Sequence, residues 1–292
     1  MDTKRTNEED REPRRKGATA SPAGDRQRQP VMNRLQEAVA ASSSLPLLGI
    51  AAYFYDPIFL EMAARLGFRV MWIEMEHGFI NFAQAADLCR MARGSSMLSM
   101  IRVADTRREN VMKAAECGPD IIDVPMVETP EDIQEIVRGA RFPPEGKRGF
   151  FSVSRALHYG LVDNIAGEQA RLNQELCLMA QIETAAGVQS IEEICAIPGF
   201  EIFIGPSDLS ASLGVPGQLG HKRVFEAART IIAAARNSGK LVAVGAGPAE
   251  FRFYAEQKVD LLFCGNDIAC LRMGVQSVLQ QARDAIDQGK RQ

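Results

Sequence analysis

The chain has 292 residues, 46% hydrophobic and 24% charged, with a formal net charge of −3 and a pI near 5.8. That balance lacks the basic domain expected of a nucleic-acid binder, and apolar runs such as 60–64 and 242–246 fall far short of the roughly 20 residues that span a bilayer. Residues 1–28 are polar and charged, without the apolar stretch of a secretory signal. None of the six cysteines forms a C-x-x-C pair, so reduced, mostly buried thiols in a cytoplasmic protein are expected. Length alone leaves one large domain or two small ones open.

In chain order, residues 1–30 are rich in Lys, Arg, Glu, Asp, Pro and Gly. They cannot bury enough apolar surface to offset their ordering entropy and are predicted to form a disordered tail. A helix over 31–41 then opens a single folded domain, 31–292. Apolar β-type runs follow at 47–53, 69–74, 97–103, 120–127, 176–182, 201–205, 240–245 and 260–265. Amphipathic stretches separate them at 58–66, 82–93, 108–117, 130–141, 187–196, 224–238 and 249–257, and 269–286 closes the chain. Continuous apolar runs without strict alternation suit strands buried on both faces. Eight strands, each followed by a helix, predict a single (β/α)8 TIM barrel. A doubly wound sheet is the alternative, but Gly49-Ile50-Ala51-Ala52 is not its glycine-rich first turn. The connection over 142–175 is too long for a plain turn and carries Phe150, Phe151, Leu157 and Tyr159. It is predicted to fold over the barrel mouth or against a neighbouring subunit.

The active site of such a barrel lies at the C-terminal strand ends. There the sequence places Glu74-Met75-Glu76-His77-Gly78, Arg102, Pro125, Glu183 and Gly205-Pro206-Ser207-Asp208. Glu183 and Asp208 are candidate ligands for a hard cation such as Mg²⁺ or Mn²⁺; the alternative makes Asp208 a helix N-cap and Glu183 the start of a helix. His77, directly after Glu76 and three residues after Glu74, suits a general base or a hydrogen-bonded structural histidine. Arg102 suits an enolate oxyanion or a surface ion pair, and Arg107 and Arg108 suit surface pairs. The backbone N–H groups after Gly205 suit a carboxylate. No lysine is placed for a Schiff base: Lys113 and Lys147 lie in a helix and a loop, and Lys240 opens a strand at the wrong end.

The stretches Ile73-Glu74-Met75-Glu76-His77, Met100-Ile101-Arg102, Val124-Pro125-Met126-Val127-Glu128, Arg141-Phe142-Pro143-Pro144 with Gly146 and Arg148-Gly149, Gln181-Ile182-Glu183-Thr184 and Phe203-Ile204-Gly205-Pro206-Ser207-Asp208-Leu209-Ser210 follow one another in the order of a known family. From about Val31 onward the chain resembles the HpcH/HpaI aldolases, class II pyruvate aldolases typified by 4-hydroxy-2-oxoheptanedioate aldolase. The resemblance implies reversible aldol cleavage of a 4-hydroxy-2-oxo acid to pyruvate and an aldehyde on Mg²⁺, Mn²⁺ or Co²⁺. It implies Glu183 and Asp208 as metal ligands, His77 as base and Arg102 as enolate stabiliser. Gln181 and the Ser207 and Asp208 backbone, beside Gly205, would hold the 2-oxo acid, and Glu116 would tune the histidine. It also implies trimers paired into hexamers, with the site near a subunit interface. Three positions depart from the family pattern: Glu74 and Glu116 stand where aspartate is usual, and Ile50-Ala51-Ala52 where relatives place a large residue. Within the superfamily the alternative is a citrate-forming or citrate-lyase-like enzyme condensing another enolate, such as that of oxaloacetate, in some cases without metal. A non-catalytic metabolite-binding barrel is the other class, and a binder has no need of a base.

Overall fold

Eight parallel strands close into a barrel in sequence order, the last returning to the first. This computed structural model describes residues 32–42 and 46–289; the tail predicted over 1–30 lies outside the described residues. The elements are α1 (Arg34–Ala41), β1 (Leu47–Ala52), α2 (Pro57–Leu66), β2 (Val70–Glu74), α3 (Phe82–Gly94), β3 (Leu98–Arg102), α4 (Arg108–Glu116), β4 (Ile121–Val124) and α5 (Pro130–Ala140). A 3-10 turn (Arg155–Gly160), α6 (Ile165–Glu175), β5 (Cys177–Ile182), α7 (Ala185–Gln189), α8 (Ile191–Cys195), β6 (Glu201–Ile204) and α9 (Pro206–Ser212) follow. The chain then forms α10 (Lys222–Asn237), β7 (Val242–Gly245), α11 (Phe251–Glu256), β8 (Leu261–Asn266) and α12 (Asp267–Gly289). This is a (β/α)8 barrel, and the β1–β8 ladder rules out the open sheet.

Local chemistry sets many of the boundaries. Asp56 accepts from the Ile58 and Phe59 N–H groups at the start of α2, whose Pro57 needs no partner, and Gly67 ends it at φ 102°. Thr129 and Asp132 form a capping box on α5. Where the sequence predicts a strand over 120–127, β4 stops at Val124. Pro125 has no N–H for the ladder, and Met126 turns to φ 57°, which aims its N–H into the barrel mouth. The helix predicted over 187–196 is broken at Ser190 into α7 and α8.

Inward side chains of alternate strands share layers in a tilted barrel, because each step to the next strand shifts the register by about one residue. Following the observed registers, Trp72, Asp123, Phe203 and Phe263 form one layer. Ala51, Arg102, Gln181 and Gly245 form the next layer toward the C-terminal face. Three rings of the first layer meet, with Trp72 centroids 5.0 Å from Phe203 and 5.1 Å from Phe263. At the opposite end Leu35 of α1 joins Leu47, Val70, Leu98 and Ile121, so α1 stoppers the barrel base.

The segment over 142–175 corrects one expectation. It does not cover the mouth of its own barrel: the Arg155 guanidinium donates to the Cys117 and Gly118 carbonyls, and Arg148 pairs with Glu116 at the end of α4. A connection from a helix to the next parallel strand must return to the N-terminal strand ends, which fixes it at the base. Of the four apolar residues Phe150, Phe151, Leu157 and Tyr159, Leu157 is buried and the other three are exposed. Beyond Asp267, α12 has no buried residue, and it flanks an apolar groove of about 840 Å³ with Ile58, Met62 and Leu66 of α2 on the other side.

Candidate active site

At the C-terminal face lies a cavity of about 430 Å³ lined by Tyr53, Trp72, His77, Arg102, Gln181, Glu183, Gly205, Ser207 and Asp208, among others. The aromatic layer forms its floor and the strand ends form its wall.

Glu74 ends β2 fully buried. Its Oε1 accepts from the Glu76 and His77 backbone N–H groups at 2.7 and 3.0 Å, and its Oε2 accepts from Arg102 Nε at 2.6 Å. The turn leaves no room at Gly78, where a Cβ would lie 2.3 Å from the Glu74 carbonyl oxygen. Glu74 therefore shapes the loop through its backbone and holds Arg102, rather than flanking the imidazole. The residue nearest the ring is Glu76, whose Oε2 lies 3.8 Å from His77 Nε2 and 3.1 Å from Arg102 Nη1. Burial raises the Glu76 carboxyl above the usual range, against the opposing pull of Arg102 and His77.

Arg102 is 4% exposed, which overturns the surface ion-pair alternative. Burial opposes its charge, but Glu74, Asp123 and Glu76 together outweigh it and the guanidinium is held above its usual value. It also lies 5.0 Å from the Trp72 ring. Arg107, by contrast, is an exposed pair with Asp105.

Glu183 follows β5 and is 1% exposed. Its Oε1 accepts from the Met126 N–H at 2.8 Å and its Oε2 from Gln181 Nε2 at 2.5 Å. Burial pushes its carboxyl up to about 7, opposed by those two donors and reinforced by Asp208. Thr184, not Glu183, caps α7. Asp208 is exposed within the first turn of α9, whose N-cap is Gly205, so neither carboxylate serves as a cap. Glycine is required at 205 because a Cβ would sit 2.4 Å from Glu183 Oε2.

Glu116 is not brought to this cavity within one chain. It ends α4 at the barrel base and pairs with Arg148 Nη2 at 2.8 Å, so the tuning role implied for it does not arise from this chain's own fold. Sequence reasoning assigned no role to Trp72 and Asp123. The signal for Asp123 was a lone acid inside the apolar run Ile121-Ile122-Asp123-Val124.

Among the described residues no group of three or more His, Cys, Asp and Glu side chains is disposed to hold a metal ion. Two carboxylates beside an open cavity instead match the sparse oxygen ligation of Mg²⁺-type ions, which leaves positions for substrate and water. Each Glu183 oxygen has one hydrogen-bond donor and keeps a lone pair. The donor set fits such an ion.

The profile of the HpcH/HpaI aldolase/citrate lyase family matches residues 54–269. A hydroxypyruvate/pyruvate aldolase of Roseovarius nubinhibens is 30% identical over 84% of this chain and 95% of its own length. The 2-keto-3-deoxy-L-rhamnonate aldolase of Escherichia coli K12 is 32% identical over 62% of this chain and 67% of its own. Among solved structures, a HpcH/HpaI aldolase/citrate lyase family protein of Burkholderia cenocepacia superposes with a TM-score of 0.78 at 29% identity. That match covers 86% of this chain and all of the other.

Proposed function

Since the chain belongs to the HpcH/HpaI aldolase/citrate lyase family, we propose that it reversibly cleaves a 4-hydroxy-2-oxo acid to pyruvate and an aldehyde on a divalent metal. The observation that carries this reading is the meeting of Glu183, Asp208, Arg102 and His77 around one cavity. Glu183 and Asp208 would hold Mg²⁺, Mn²⁺ or Co²⁺, which would supply Lewis acidity to the bound 2-oxo acid. The Ser207 and Asp208 N–H groups, in the first turn of α9, receive the substrate carboxylate, and Gln181 borders it. His77 takes the C4 hydroxyl proton, directly or through water. The C3–C4 bond then breaks, its electron pair passes toward C2 and its oxygen, and C4 leaves as the aldehyde. Arg102 neutralises the enolate oxygen until C3 is protonated to give pyruvate.

A panel of aldehydes offered with pyruvate and with oxaloacetate, with and without EDTA, tests this assignment. Condensation with pyruvate, lost in EDTA, is expected. Reaction with oxaloacetate alone, unaffected by EDTA, would replace the aldolase by a citrate-forming enzyme.

The exposed apolar residues of α12 and the groove beside α2 support a homo-oligomer, as a trimer or hexamer. A monomeric mass in solution would contradict it. Among the described residues no helix is long and apolar enough to cross a membrane; the location proposed from the sequence is the cytoplasm, with small-molecule partners.

A further inference from the structure

Beneath the site lies a buried carboxyl that the proposed reaction does not use. Asp123 is fully buried in a layer otherwise made of Trp72, Phe203 and Phe263, and neither of its oxygens has a hydrogen-bond partner among the described residues. The registers Arg102↔Asp123 and Asp123↔Met179 put it on β4 just below Arg102 of β3 and Gln181 of β5. Arg102 reaches Glu74 through Nε and Glu76 through Nη1, and no hydrogen bond joins it to Asp123. Two other buried groups of these layers lack partners: Gln181 Oε1, an acceptor, and Trp72 Nε1, a donor.

The Gln181 vacancy matches one protonation state. A carboxylate only accepts and would set negative charge against Gln181 Oε1. A neutral carboxylic acid has one O–H to give, so it can serve the unpaired acceptor Gln181 Oε1 without setting a charge against it. The stakes are set by the Gln181 amide, which has a single NH₂ and two acids within its layers. With Nε2 toward Glu183, as observed, Oε1 faces away; a charged Asp123 would compete for that NH₂. We propose that Asp123 is a positioning residue that works as a neutral acid, donating its hydroxyl to Gln181 Oε1 so that the amide NH₂ stays on Glu183. Burial, with Glu183, Glu74 and Glu76 facing it, raises the Asp123 carboxyl well above its ordinary range, against the pull of Arg102, which agrees with this. The inference rests on the proposed role of Gln181 and Glu183.

Two substitutions and two spectra test it. Asp123→Asn keeps a donor for Gln181 Oε1, so kcat/KM should stay within about twofold. Asp123→Leu fits the aromatic layer but gives Gln181 Oε1 no donor; kcat/KM should fall about 10–100-fold, as for lost outer-shell partners, with Tm unchanged or higher. In wild type minus Asp123→Asn infrared difference spectra at pH 8, the carbonyl stretch of a protonated carboxylic acid should appear. The Gln181 side-chain NH₂ should exchange slowly in wild type and Asp123→Asn, and faster in Asp123→Leu. Equal impairment of both variants, full activity of Asp123→Leu, or no acid band would overturn the proposal. If Asp123→Leu does not fold, the infrared band and Asp123→Asn still decide. The spectra need no turnover, so an inactive wild type would count against the aldolase reading alone.

Discussion

Glu183→Gln is expected to abolish turnover and divalent-metal binding together. The substitution keeps the side chain's size and leaves Asp208 as the only carboxylate of the proposed pair. It also puts an amide where Gln181 Nε2 and the Met126 N–H both need an acceptor, so one of these donors meets an NH₂ group. EDTA should reproduce the loss in wild type, and Mg²⁺, Mn²⁺ or Co²⁺ should reverse it. The pH dependence has a definite sign. Burial raises the Glu183 carboxyl from 4.5 to about 7, so between those values the metal-free folded state binds more protons than the unfolded chain. Its contribution to stability is fully present below 4.5 and is lost as pH rises to about 7. A cation needs the ionised form, so the Tm gain from added Mg²⁺ should grow as pH rises through 7. A gain independent of pH, or an active glutamine variant in chelated buffer, would remove Glu183 from the metal site.

Arg102→Ala is expected to lower kcat by about 10²–10³ while changing KM less, because its charge is needed chiefly when the enolate forms. The variant also leaves Glu74 buried with no cation on Oε2, and breaking such a pair costs about 3–5 kcal/mol. Removing that buried charge as well, in Arg102→Ala with Glu74→Gln, should return most of the Tm and none of the kcat. Arg102→Lys should recover little, since one ammonium does not reproduce a fork that reaches Glu74 and Glu76 at once. If kcat follows Tm through all three variants, Arg102 is structural.

The comparison of sequence with structure divides along physical lines. Strand runs such as 69–74 and 97–103 were legible because parallel strands covered on both faces are apolar throughout, and β2 and β3 are buried at every position. The gathering of Glu74, Arg102, Glu183 and Asp208 at one end was legible because strand direction fixes the end of each element. What a side chain does there was not. Glu74 was placed beside His77 by adjacency in sequence, yet a carboxylate two or three residues ahead of a turn reaches backbone N–H groups more readily than a ring. Glu116 belongs to the base for the same topological reason as the 142–175 segment: a helix following a strand carries its last residue away from the active face. Asp123 needed the barrel's layer geometry, which follows from register and shear and is absent from any one strand's pattern.

The central claim is that this cavity makes and holds a pyruvate enolate. The most direct measurement is exchange of the pyruvate methyl protons for deuterium in D₂O, followed by NMR with no aldehyde present. Exchange that requires a divalent metal, stops in EDTA and is lost in both Glu183→Gln and Arg102→Ala is the predicted result. Absence of exchange in the metal-loaded wild type, with pyruvate still bound, would contradict the account and leave a metabolite-binding barrel in its place.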